Sequence, residues 1–125
     1  MTLFRSGPAT LHSGGVSNFK IDCDALTDAD WQALANMIGD RVGRFSRVVG
    51  IPRGGWKLAE AMRPLTCSAT DPVLIVDDVL TTGRSMEDTR QAMVTTGETR
   101  EIKGAVVFAR GPVPDWIMPL VVLTP

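Results

Sequence analysis

Two adjacent carboxylates, Asp77 and Asp78, end the apolar run Val73-Leu74-Ile75-Val76 and lead, past Val79 and Leu80, into Thr81-Thr82-Gly83-Arg84-Ser85. Neighbouring carboxylates repel one another and are costly to bury without partners. At the carboxyl edge of a sheet, where α/β proteins place their ligands, they become hard oxygen donors for hydroxyl groups or a divalent cation. Thr81 to Ser85 supplies hydroxyls, a glycine and successive backbone N–H groups at the entry to a helix, a set suited to a phosphate. A second glycine-bearing turn, Pro52-Arg53-Gly54-Gly55, brings a guanidinium and further backbone donors. Two anion-ready turns with an acidic pair between them suit a ligand with two separate phosphate groups. The carboxylates would hold ribose hydroxyls, directly or through Mg²⁺, which keeps oxygen ligands and waters. No Ser–His or Cys–His pair is evident. The chemistry therefore rests on positioning and charge stabilisation rather than on a covalent nucleophile.

The surrounding sequence predicts the elements that would position these groups. Val73 to Asp77 is short, β-branched and non-alternating, as in a central strand of a parallel sheet buried on both faces. Arg47 to Ile51, Gly104 to Ala109 and Pro119 to Leu123 read as further core strands. Thr27 with Asp30 forms a capping-box pattern, and Trp31, Leu34, Ala35, Ile38 and Val42 fall on one face of a helix closed by Gly43. A second helix is predicted over Trp56 to Arg63, stopped by Pro64. Ser85 with Asp88 caps a third, ending near Gly97. Met1 to Asp24 is rich in Ser, Gly and Thr and reads as irregular, with a short strand at Asn18 to Ile21. Strands alternating with helices predict an α/β fold, a mostly parallel sheet flanked by helices with right-handed crossovers. Both glycine-bearing turns directly follow core strands, so a parallel sheet places them at one edge, facing one cleft.

The chain of 125 residues, 44% hydrophobic and 22% charged, has the composition of a single ordinary globular domain spanning 1–125. Its net charge of −1 gives no electrostatic reason to bind nucleic acid or an anionic membrane, and neither is expected as a partner. Cys23 and Cys67 fall in no C-x-x-C pair and are expected to be reduced, as in a cytoplasmic protein. No run approaches the roughly 20 apolar residues of a membrane span. A small open sheet with three tryptophans and an apolar C-terminal segment predicts a surface patch larger than monomers expose, and so a homodimer. Trp56, beside Gly55, is expected in the core or at that interface.

Val73 to Ser85 closely resembles the signature of type I phosphoribosyltransferases that binds phosphoribosyl pyrophosphate (PRPP): an apolar strand, two acidic residues, then a Thr-Gly phosphate loop. Val49-Gly50-Ile51-Pro52-Arg53-Gly54-Gly55 resembles the family's pyrophosphate loop, which often contains a non-proline cis peptide; Pro52–Arg53 is the bond that would be cis. Leu11 to Asp22 is similar to the opening motif of orotate phosphoribosyltransferases. The resemblance implies a Rossmann-like fold with a small hood from residues 1–24 and 110–125. It implies that Thr81, Thr82, Gly83, Arg84 and Ser85 wrap the 5′-phosphate. Asp77 and Asp78 would take the ribose hydroxyls and Mg²⁺ and stabilise charge at the anomeric carbon. Arg53, Gly54 and Gly55 would hold the pyrophosphate leaving group. Arg110 stands where orotate enzymes place an arginine for the base carboxylate and purine enzymes a lysine. Asp115-Trp116-Ile117-Met118-Pro119 resembles the hood of xanthine-guanine enzymes, which implies that Trp116 stacks on the base. Purine enzymes usually carry an aspartate at the position of Thr81, so the resemblance favours an orotate-type enzyme over a purine-type one.

The pattern departs from the family between the two turns. Orotate and purine enzymes have a long mobile loop there, basic in the orotate enzymes, which closes over the reacting centre. This chain has only Trp56 to Pro72, mostly helix, and Thr66 to Pro72 contains no basic residue. His12 stands where many orotate enzymes have a lysine, a position that can reach a neighbouring subunit's site. The readings left open are an orotate-type enzyme acting on a pyrimidine, a PRPP- or nucleotide-binding regulator, and a purine phosphoribosyltransferase.

Overall fold

The computed structural model describes residues 4–10, 16–21 and 23–123. The order of elements is β1 (Phe4–Thr10), β2 (Val16–Ile21), α1 (Asp28–Val42), β3 (Arg47–Gly50), α2 (Trp56–Met62), β4 (Val73–Leu80), α3 (Arg84–Thr95), β5 (Ile102–Arg110) and β6 (Ile117–Leu123). The strands β3-β4-β5-β6 form one parallel sheet in that order, and β1-β2 is a separate antiparallel pair. The N-terminal region is therefore more regular than its composition suggests, with Asn18 to Ile21 inside a longer strand.

All three predicted helices form, and α1 does so for the expected reason. Thr27 accepts a hydrogen bond from the Asp30 N–H at 3.2 Å while Asp30 accepts from the Thr27 N–H at 2.9 Å, the reciprocal capping box. Trp31, Ala35, Ile38 and Val42 are buried along the inner face of α1. α2 stops at Met62, but Pro64 does not end the winding: Arg63–Leu65 continues as a 3-10 turn, in which Pro occupies an early position where its missing N–H is not needed. α3 starts two residues earlier than its Ser85–Asp88 pattern suggests. Its cap is Gly83, in the left-handed region at φ 78°, with no side-chain cap bond.

The sheet is covered on both faces. Leu74 and Val76 of β4 pack with α1 and α2, whereas Ile75 packs with Met86 of α3 and Val106 of β5. Helices α2 and α3 thus lie on opposite faces while the strands advance in one direction, so the β3-α2-β4 and β4-α3-β5 crossovers have opposite hands. The expectation of uniformly right-handed crossovers fails at one of them. On that face Leu58, Ala59 and Met62 of α2 pack into one apolar cluster with the inner stripe of α1. Cys23 and Cys67 are not joined in a disulfide. Among the described residues no helix is long and apolar enough to cross a membrane.

Ile75, fully buried at the centre of the α3-side cluster, tests the packing. Ile75→Ala should cost about 2–5 kcal/mol, read as a lower urea midpoint at unchanged m-value.

Candidate active site at the carboxyl edge of the sheet

Register decides where the carboxylates stand. β3 ends at Gly50, which pairs with Val76, so Asp77 to Leu80 run on past the end of their neighbour. The aspartates are therefore not the end of the strand, as the apolar run suggests, but inside it, paired on the other side with β5 through Asp77–Val106 and Val79–Phe108. The space that β3 vacates is filled by the turn after it. The Ile51 N–H donates to the Val76 carbonyl at 2.9 Å, and the Gly55 N–H donates to the Ile51 carbonyl at 2.8 Å. The Pro52–Arg53 peptide is cis, as the resemblance implies.

The turn fits only because of its glycines. A Cβ at Gly54 would collide with the Asp78 carboxylate, and one at Gly55 would lie 2.5 Å from the Val76 carbonyl oxygen. Gly50, unmarked as a site residue in the sequence, belongs to the same packing: a Cβ there would come within 2.7 Å of the Gly55 carbonyl and 2.9 Å of Ala59. Its signal was a glycine closing an otherwise β-branched strand.

The acidic pair is partly satisfied by its own backbone. Asp77 accepts from the Asp78 N–H at 2.8 Å and Asp78 accepts from the Val79 N–H at 2.7 Å. Burial pushes the Asp77 carboxyl up to about 8, the Asp78 carboxyl acts in the same direction, and the backbone hydrogen bond from the Asp78 N–H opposes them. Asp77 also shares a hollow of about 50 Å³ with Thr81, Thr82, Gly83, Arg84 and Ser85. In that loop Thr82 accepts from the Arg84 N–H at 3.3 Å, and the Gly83 carbonyl takes the first helical hydrogen bond, from Glu87 at 3.0 Å. Thr81, Thr82, Arg84 and Ser85 are exposed, and so is Arg53 on the facing turn. Arg110 is the last residue of β5, just beyond the Leu80–Ala109 pair, and so stands at this same edge.

Trp116 does not. It immediately precedes β6, whose first residue Ile117 pairs with Gly104 near the start of β5, and the Trp116 carbonyl accepts from the Gly104 N–H at 2.9 Å. The stretch from Gly111 to Trp116 has carried the chain back to the amino edge, away from the aspartates. The expected base-stacking role is corrected on this ground: the DWIMP match has the right residue types at the wrong end of the strand. Its indole N–H donates to Glu87 at 2.6 Å, and the Arg90 guanidinium sits 4.8 Å above the ring centroid. Trp56 is also not in the core; it is 56% exposed at the start of α2. His12 and the Leu11–Gly15 part of the opening motif lie outside the described residues.

No family model matches the chain, and no curated protein matches it in sequence. Solved structures do match its shape. Orotate phosphoribosyltransferase from Aeropyrum pernix superposes with a TM-score of 0.77 at 19% identity, over 96% of this chain and 88% of that one. Orotate phosphoribosyltransferase from Francisella tularensis gives 0.67 at 14% identity, over 96% and 80%. The xanthine-guanine-hypoxanthine phosphoribosyltransferase of Helicobacter pylori gives 0.54 at 15%, over 74% and 85%. The chain has the type I phosphoribosyltransferase fold.

The raised Asp77 predicts a pH effect on the metal-free protein. Below about pH 4 both folded and unfolded chains hold the Asp77 proton; between about 4 and 8 the folded chain keeps it while the unfolded chain releases it. Stability should fall through that window by at most about 1.4 kcal/mol per pH unit, then level off. Asp77→Asn should remove this slope, so its stability relative to wild type rises from pH 4 to pH 8 in chelator-treated urea titrations. An unchanged slope would show that Asp77 ionises normally.

Proposed function

We propose that the protein is a phosphoribosyltransferase that joins PRPP to orotate or a related pyrimidine, giving a nucleoside 5′-monophosphate and pyrophosphate. The observation that carries this reading is the meeting of three parts at one sheet edge: the Arg53–Gly55 turn, the Asp77–Asp78 pair and the Thr81–Ser85 loop. A ring nitrogen of the base attacks the anomeric carbon as the bond from that carbon to the pyrophosphate oxygen breaks; the electron pair leaves with pyrophosphate, and the ring-nitrogen proton is released to solvent. Asp77 and Asp78 hold the ribose hydroxyls and stabilise positive charge at that carbon. Thr81, Thr82, Gly83, Arg84 and Ser85 wrap the 5′-phosphate, and Arg53 with the Gly54 and Gly55 backbone holds the departing pyrophosphate. Arg110, at the same edge, takes an anionic group of the base.

Mg²⁺ fits this donor set as a partner of the substrate. The described residues contain no cluster of three or more metal-ligating side chains, only the adjacent carboxylates. Two hard oxygen donors suit an ion that keeps its waters and completes its shell with phosphate oxygens. When bound, Mg²⁺ would neutralise the pyrophosphate charge, and Asp77 and Asp78 would be its protein contacts.

A second reading, a PRPP-binding regulator, draws on the position of residues 66–72. Cys67 donates through its N–H to the Phe45 carbonyl at 2.7 Å, Asp71 pairs with Arg44 at 3.2 Å, and Arg100 reaches the Ala69 carbonyl at 3.3 Å. These ties hold the segment at the amino edge, away from the acidic pair. Tight PRPP binding with slow turnover is the expected outcome.

Pyrophosphate release from Mg²⁺-PRPP over orotate, uracil and purines separates the readings. Turnover with orotate and loss of it in Arg53→Ala by about 100-fold or more are expected, from charge-assisted hydrogen bonds worth about 1.5–3 kcal/mol each. Asp77→Asn with Asp78→Asn should abolish PRPP binding with the fold intact by circular dichroism. Binding without turnover on every base would make the protein a regulator, and preference for a purine would refute the orotate assignment.

We further read the protein as a cytoplasmic homodimer, a reading supported by cysteines that form no disulfide and by the exposure of Trp56, Val121 and Val122. Light scattering at micromolar concentration should give twice the chain mass; a monomer would refute the dimer.

A further inference from the structure

We propose that Trp116 is a positioning residue for the phosphate loop, acting through Glu87 in the first turn of α3. This rests on the phosphoribosyltransferase reading only for what the loop binds. The loop and the first turn of α3 are continuous: Gly83 caps the helix, and its carbonyl takes the Glu87 N–H. How the loop presents its N–H groups therefore depends on how α3 is seated.

That seating has few supports. Of the twelve residues of α3, Met86 is the one fully buried, with Met93 half-buried against the same cluster. Its cap residue, Gly83, has no side chain to bond the first turn, which has only the long contact of the Arg84 N–H with the Thr82 hydroxyl at 3.3 Å. The Trp116 indole supplies an additional tie. Its N–H donates to the Glu87 carboxylate at 2.6 Å, short for a neutral donor and a charged acceptor. Arg90, one turn on, lies over the ring at 4.8 Å and 3.9 Å from the same carboxylate. The indole can come this close because residue 104 is glycine: a Cβ there would sit 2.8 Å from the ring and 3.0 Å from the Met86 methyl. The latch thus joins three things that the chain order keeps apart, namely the start of β5, the approach to β6 and the first turn of α3.

Trp116→Phe keeps a ring over Gly104 and Met86 but removes the donor. Its affinity for ribose 5-phosphate, measured by calorimetry, should fall three- to tenfold, while affinity for Mg²⁺-pyrophosphate, which engages the Arg53–Gly55 turn, should not change. Glu87→Ala should match it, the double variant should be no worse than either, and Glu87→Gln should retain most of the affinity through its amide oxygen. Equal loss for both ligands would mean a general structural role and would overturn the proposal. A second readout does not depend on any ligand. Amide hydrogen exchange at residues 87–90, the first hydrogen-bonded amides of α3, should quicken in Trp116→Phe while the amides of β4 and β5 stay protected; unchanged exchange there overturns the proposal. Quickened exchange in a protein that binds no ribose 5-phosphate or PRPP would support the latch and refute the phosphoribosyltransferase reading instead.

Discussion

The close approach of the Pro52–Gly55 turn to β4 is the constraint on which the rest of the site depends. β4 outruns β3 by the length of the acidic segment, and the turn folds into the resulting step with no room for side-chain carbons at Gly50, Gly54 or Gly55. Because the Asp78 carboxylate lies against the bare Cα of Gly54, the donors of the turn and the acceptors of the strand share one small volume. A single methyl group at Gly54 would separate them. Close packing, together with the hydrogen bond from the Ile51 N–H to the Val76 carbonyl, brings opposite chemistries together here.

The two edges of the sheet divide the work. At the amino edge polar groups are spent on holding loops down. Arg100 forks onto Glu98 with contacts at 2.7 and 2.9 Å and also reaches Ser46 and the Ala69 carbonyl, and its hydrogen bonds hold the Glu98 carboxyl down to about 2. Lys103 donates to the Val42 carbonyl at the end of α1 at 3.0 Å, where the helix leaves carbonyls unpaired. At the carboxyl edge the opposite holds: Asp77 is kept from ionising freely by burial and by its neighbour, and the loop hydroxyls stand exposed. Such partly satisfied groups cost stability in the free protein and are the ones a charged ligand or cation can relieve.

α3 connects these halves. Its first turn shapes the loop at the carboxyl edge and is also where the indole of Trp116, arriving from the amino edge, makes its hydrogen bond. A helix with so little buried surface is sensitive to such a contact, since one hydrogen bond is a large share of what holds it.

Much was legible in the residues alone. The α1 capping box, the apolar stripe of that helix, the β-branched strands and the turns after β3 and β4 all follow from short-range sterics and hydrogen bonding, which neighbouring residues determine. The same is true of the acidic pair and the Thr81–Ser85 loop, whose parts are contiguous in the chain. What only the tertiary structure decided depends on register and on which face an element packs against. The placing of α2 beside α1 reverses one crossover, the continued pairing with β5 turns the strand-end aspartates into mid-strand ones, and the β6 pairing carries Trp116 to the far edge. The residue types around Trp116 suit a base-stacking hood, but a strand has two ends, and only its pairing with β5 says which end a residue before it occupies.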